Sequence, residues 1–138
     1  MAFRPIQATA ATGNLNTLAS GSIVGGNTQI MDRVAPHSLS ATFNVLAETN
    51  TITIAAIWQV SVDGSTWLRV SPTTNNAAEV VLATGTAGAD SAVVRVVAAP
   101  PAVHGFKYVR AAVLTGGTTG AAADTYSIQL NFVDKNFR

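Results

Sequence analysis

The chain has 138 residues, a net charge of +1 and no cysteine. Charged residues are 11% of it, against about 25% in ordinary soluble domains. That composition excludes disulfides, thiolate metal sites and cysteine nucleophiles, and the eight basic residues are too scattered for a nucleic-acid footprint.

The length suits one domain with a self-sufficient core. No apolar run reaches the ~18 residues of a membrane span, and Arg4 is not followed by an apolar leader core. Neither membrane nor signal peptide is expected.

Residues 1–17, MAFRPIQATAATGNLNT, hold no period and are expected to form an extended N-terminal arm, leaving 18–138 as the folded domain. In 18–34 a strand or hairpin is expected, with Gly25-Gly26-Asn27 as the turn between Ser22-Ile23-Val24 and Thr28-Gln29-Ile30-Met31. After Pro36, Ser38 to Val45 alternates polar and apolar without a break, the pattern of a strand with one buried face. Glu48-Thr49-Asn50 is a turn. From 51 to 62 the even positions Ile52, Ile54, Trp58, Val60 and Val62 are large and apolar, which predicts a long strand.

Asp63-Gly64 then closes a hairpin, because glycine takes positive φ at little cost. Thr66 to Val70 returns, and Pro72 to Asn76 is a loop. Glu79 to Leu82 and Ala92 to Val97 read as strands around the loop 84–90. Pro100-Pro101 stops ladder pairing before the strand Lys107 to Leu114. A glycine-rich loop at 115–120 leads to the last alternating strand, 124–134.

No segment carries a helical period and no repeat is visible. The fold expected is all-β: a single β-sandwich, jelly-roll or immunoglobulin-like, of seven to eight strands. Its core should hold Leu39, Phe43, Ile52, Ile54, Trp58, Val60, Ile128, Leu130 and Phe132.

No catalytic constellation emerges. His37 and His104 sit beside proline-marked loops and read as loop residues. Asp32, Glu48, Asp63, Glu79, Asp90, Asp124 and Asp134 are spread singly, mostly at predicted turns, where aspartate caps backbone amides. Gly116 to Gly120 lacks the lysine and following helix of a phosphate loop. No cofactor or metal is expected, and the chain reads as a non-enzyme. Trp58 lies on an apolar strand face; Trp67 is expected to point outward and to pack in an interface or in the core.

The hairpin Trp58-Gln59-Val60-Ser61-Val62-Asp63-Gly64-Ser65-Thr66-Trp67, followed by Phe106-Lys107-Tyr108-Val109-Arg110-Ala111, resembles a pattern of small all-β virion proteins of tailed bacteriophages. It is similar to head decoration, or cement, proteins, over roughly residues 55–115. The resemblance implies a protein on the capsid surface, often trimeric, bracing the major capsid protein or other virion subunits, with no catalytic residues to carry over. The same hairpin pattern occurs in carbohydrate-binding sandwiches, so a glycan- or receptor-binding module, with Trp67 and Tyr108 as stacking platforms, is the alternative. The expected contacts are the chain ends, Phe3, Arg4, Pro5 and Ile6 with Phe137 and Arg138, and the aromatic edge of Trp67, Arg69, Tyr108 and Arg110.

Overall fold

The computed structural model describes residues 4–15, 18, 20–47, 51–70, 80–85, 91–117 and 124–135. Its strands are β1 (Arg4–Gln7), β2 (Ala11–Asn14), β3 (Ile23–Gly25), β4 (Gln29–Ile30), β5 (Ser40–Ala47), β6 (Thr53–Ser61), β7 (Leu68–Val70), β8 (Val80–Thr84), β9 (Ser91–Ala98), β10 (Tyr108–Gly116) and β11 (Thr125–Asp134). Short 3-10 turns occupy Met31–Arg33 and Pro101–Gly105.

The strands form two antiparallel sheets packed face to face. One runs β1–β11–β5–β9, with β2 also on β11; the other runs β3–β10–β6–β7, with β4 also on β10 and β8 also on β6. Three positions are shared by two short strands lying end to end. Arg4–Gln7 pairs with residues 131–134 of β11 and Ala11–Asn14 with residues 125–128. β3 and β4 divide β10 in the same way, and β7 and β8 divide β6. The eleven strands therefore fill four positions in each sheet. The expectation of seven to eight strands left out β1 and β2, whose residues show no alternation.

One hydrophobic cluster joins the inner faces. Ala41, Phe43, Val45 and Ala47 of β5 and Ile128 and Leu130 of β11 meet Ile54, Ala56, Trp58 and Val60 of β6 and Val109, Ala111 and Val113 of β10. Large side chains stand beside small ones. Trp58 is in register with Ala111, and Leu130 with Ala41, so each bulky group has room beside its cross-strand partner. The expected core residues are buried, with Phe132 partly so. The end of the strand expected over 51–62 is a correction: β6 stops at Ser61, and Val62 beyond it is 74% exposed.

The glycines at 25 and 26 are a second correction. They do not turn a hairpin. β3 and β4 both run along β10, and the glycines let the backbone lie close to it. The Gly26 N–H donates to the Ala111 carbonyl at 2.8 Å, and a Cβ on Gly26 would stand 3.0 Å from that same oxygen. Within the segment 1–17, expected as an arm, Arg4–Gln7 and Ala11–Asn14 are the strands β1 and β2, hydrogen-bonded along β11. Small residues such as Ala11, Thr12 and Gly13 hide this from any hydrophobic pattern, since an edge strand can be held by its ladder alone.

Asp63 shapes the β6–β7 turn as expected. Its carboxylate accepts the N–H groups of Ser65 and Thr66, both at 2.8 Å, and the Ser61 hydroxyl. These bonds hold its pKa far below the usual carboxylate range. Asp134 departs from the turn role, and Asp124 directly precedes β11. Both are buried, and Asp134 ends β11 in an ion pair with Arg33.

Phe43→Ala should lower unfolding free energy by about 3–5 kcal/mol in chemical denaturation, since the ring is fully buried in the inner layer. Gly64 has φ +82° and only ordinary contact with Tyr108, so Gly64→Val should cost about 1–2 kcal/mol by backbone strain. A neutral result in the same assay would place the strain elsewhere.

Candidate functional site

Each sheet turns one face outward, and the two faces differ in chemistry. On the first sheet the core residues of β5 are odd-numbered, so its even positions point out: Ser40, Thr42, Asn44 and Leu46. Register carries the same face across to Ala92, Val94, Val96 and Ala98 of β9 and to Thr125, Ser127, Gln129, Asn131 and Val133 of β11. None of these side chains is charged. Val94 is 69% and Val96 62% exposed. The Asn131 amide donates to the Thr42 hydroxyl at 3.0 Å across the strands. Beside it runs an open groove of about 390 Å³ lined by Pro5, Thr42, Val96, Asn131 and Val133 among others.

The second sheet presents a cationic and aromatic face. Arg69 of β7, Gln59 of β6 and Arg110 of β10 stand in one cross-strand row. The Arg110 Nε–H donates to Gln59 Oε1 at 2.7 Å, and its guanidinium lies 4.2 Å from the Trp67 ring centre. Tyr108 follows on the same face, with Lys107 Nζ 5.3 Å from its ring centre. Partial burial holds the Arg110 pKa below its ordinary value. A second depression, of about 180 Å³, lies further along this sheet between Thr53, Ala55, Val81 and Leu114.

The structure thus gathers Trp67, Arg69, Tyr108 and Arg110 in one patch. Pro5 and Ile6, with the backbone of Arg4, lie on the other sheet, along the edge of β11. Phe3, Phe137 and Arg138 lie outside the described residues. Gln59 and Gly25 belong to the patch and were missed. A polar residue in an otherwise apolar strand was the available signal for Gln59; Gly25 gave none, since it acts by lacking a side chain where Arg110 passes.

His37 and His104 meet at one end of the sandwich. The His37 backbone N–H donates to His104 Nε2 at 3.2 Å, and the rings stand 5.7 Å apart. Among the described residues no group of three metal-ligating side chains occurs, and no helix is long and apolar enough to cross a membrane.

No family model matches the chain, and no curated protein does. Solved structures match its shape. The VP2 subviral particle protein of infectious bursal disease virus aligns with TM-score 0.50 and 14% identity over 98% of this chain and 34% of that one. A protein of the Bacillus endospore appendages, described as disulfide-linked pili, aligns with TM-score 0.45 and 11% identity over 96% of this chain and 90% of that one. A protein described under CBM4 structure and function aligns with TM-score 0.36 and 15% identity over 91% of this chain and 81% of that one. The chain spans about a third of the infectious bursal disease virus chains it matches. At 14% identity and TM-score 0.50, the likeness to the VP2 structure is one of fold.

The histidine pair predicts a pH effect. Burial, then His37 and Lys135, lower the His104 pKa from 6.5. A base whose folded pKa is depressed stabilises the fold when neutral. That contribution is complete above the unfolded value and is lost as pH falls through it towards the folded one. Stability should therefore drop as pH falls below about 6.5, and His104→Gln should flatten that part of the curve in urea titrations at a series of pH values.

Proposed function

We propose that this protein is a non-enzymatic structural subunit of a virus particle, a bacteriophage capsid decoration protein that braces its neighbours through homo-oligomeric, multivalent contacts. The observation that carries the reading is the uncharged outer face of the first sheet. Burying an ion in an interface costs several kcal/mol unless it is paired and hydrogen-bonded. A face of Ser, Thr, Asn, Gln, Ala and Val avoids that penalty and can lie against a copy of itself or another neutral surface without repulsion. The exposed Val94 and Val96 add apolar area along its β9 edge. Many modest contacts, repeated through an oligomer, then sum to firm attachment.

Two further features support the reading. Counting each end-to-end pair as one strand, the sheets have the orders 1-8-3-6 and 2-7-4-5. We read this connectivity as a jelly roll, an architecture shared by viral capsid and lectin domains. The hairpin and the Tyr-Val-Arg strand resemble those of phage head proteins, for which a trimer and a capsid-surface location are the expectation. The glycan-binding alternative rests on Trp67 and Tyr108 sharing a face; Arg110 stacked on Trp67 leaves less of that ring for a sugar.

In this reading the chain ends, Phe3, Arg4, Pro5 and Ile6 with Phe137 and Arg138, supply a second contact to a neighbouring subunit. The protein should run as an oligomer by light scattering after size exclusion, and co-sediment with undecorated phage capsids. Replacing Val94 and Val96 together by Glu should abolish both while changing the melting temperature little, since both side chains already face solvent. A persistent monomer that ignores capsids would sink the proposal.

A further inference from the structure

Arg110 is the most unusual side chain on the outer face of the second sheet. It sits at the middle of that sheet rather than at its rim, half-buried, and it is fixed on three sides. Gln59 Oε1 takes its Nε–H, the Trp67 ring supports its plane, and Gly25 leaves the space that it fills. A Cβ on Gly25 would lie 2.5 Å from the guanidinium carbon. An arginine carries five N–H donors in a rigid fork. Gln59 is the acceptor of one of them and, among the described residues, no other acceptor is within bonding distance. Gln59 orients the cation without neutralising it.

Among the described residues, no aspartate or glutamate forms an ion pair with Arg110. None of the six strands of this sheet, β3, β4, β6, β7, β8 and β10, contains an aspartate or glutamate. The nearby acid, Asp63 at the hairpin tip, is committed to Ser61, Ser65 and Thr66. Lys107 adds a second positive charge over Tyr108, and Arg69 continues the row beyond Gln59. A partly desolvated guanidinium, oriented through its Nε–H by Gln59, is preorganised for a bidentate carboxylate on its terminal nitrogens.

We propose that this patch, Gln59, Trp67, Lys107, Tyr108 and Arg110, is a docking site for an acidic segment of a protein partner. Arg110 grips one carboxylate through its two terminal nitrogens, Lys107 attracts the next acid along the segment, and Trp67 and Tyr108 provide the apolar floor. Charge complementarity selects the partner. A nucleic acid is disfavoured because its backbone binding is driven by the neutralisation of many phosphates, and the patch offers few cations. The site is independent of the particle reading: it would take an acidic segment whether or not the protein decorates a shell.

The indole of Trp67 reports on the site, since Trp58 is buried in the core. Titration of the intact protein with a twelve-residue poly-glutamate peptide should give a saturable change in tryptophan emission. The change should vanish in Trp67→Phe and be suppressed at about 0.5 M NaCl, where exposed charges are screened. Poly-glutamine of the same length should give none. Arg110→Gln should weaken binding by about tenfold or more; Arg110→Lys, which keeps the charge without the fork, should also weaken it, by less. Gly25→Ala leaves Arg110 in the chain but crowds its resting place, and should weaken binding with the fold intact by circular dichroism, which keeps the test decisive if Arg110→Gln misfolds. Absence of saturation, binding indifferent to all three substitutions, or tighter binding of an oligothymidylate than of poly-glutamate would each overturn the proposal, the last in favour of a nucleic-acid surface.

Discussion

The fold hangs on how Trp58 is accommodated between the sheets. It is the largest fully buried side chain, and the position beside it in the neighbouring strand is Ala111. A larger residue there would push β10 and β6 apart or tilt the indole into the opposite sheet. With alanine, the ring fills the middle of the sandwich, and Phe43 and Ile128, in register with each other on the opposite sheet, complete the inner layer. The four strands that build this layer, β5, β6, β10 and β11, are the central ones of their sheets. Shorter strands then attach to an already closed core, and their sequences are freer as a result. The indole pays for its place: its Nε1 finds no acceptor among the described residues, so its large apolar burial offsets an unmade hydrogen bond.

That division explains what could be read from the chain. Ser38 to Val45 and Thr125 to Phe132 were legible because one face meets the core and the other does not, so period two is written directly into them. β6 was legible in position but not in environment. Its odd residues Ala55, Ile57, Gln59 and Ser61 are buried as well, because strands flank it on both sides and side chains of the row lie over it. Val62 continued the pattern in sequence, yet fell beyond the last ladder partner. Gly25-Gly26 followed the general preference of glycine pairs for turns, but close approach to β10 is an equally good use of a missing side chain, and only the three-dimensional neighbour decides between them. β1 and β2 were unreadable because backbone pairing leaves no signature in side-chain type.

The patch was half legible. Aromatic and arginine residues on exposed strand positions stand out in a chain so poor in charge, and Trp67, Arg69, Tyr108 and Arg110 do meet. Their organisation was not visible, since it depends on register: a shift of one residue between β6 and β10 would place Arg110 away from Gln59 and turn it inward. Pro5 and Ile6 reach a different sheet from the arginine row, so what looked like one set of contacts resolves into two surfaces of different chemistry. One is uncharged and broad; the other is small, cationic and partly aromatic. A molecule with two such unlike faces can meet two unlike partners at once without either competing for the other's ground.

The end-to-end strands have a consequence for solubility. An unpaired sheet edge invites any extended chain to add to it, and long, flat, apolar edges are where aggregation begins. Three of the four edge positions are broken into short pieces, β1 with β2, β3 with β4, and β7 with β8. A foreign strand could gain only a few consecutive hydrogen bonds on any of them before meeting an interruption. β9 is different: eight residues long, SAVVRVVA, with four valines and a single charge at Arg95. That arginine reaches towards the Val81 carbonyl of β8 at 3.5 Å. It is therefore the gatekeeper of the one long edge, and its loss would leave an uninterrupted apolar template on a chain already short of charge.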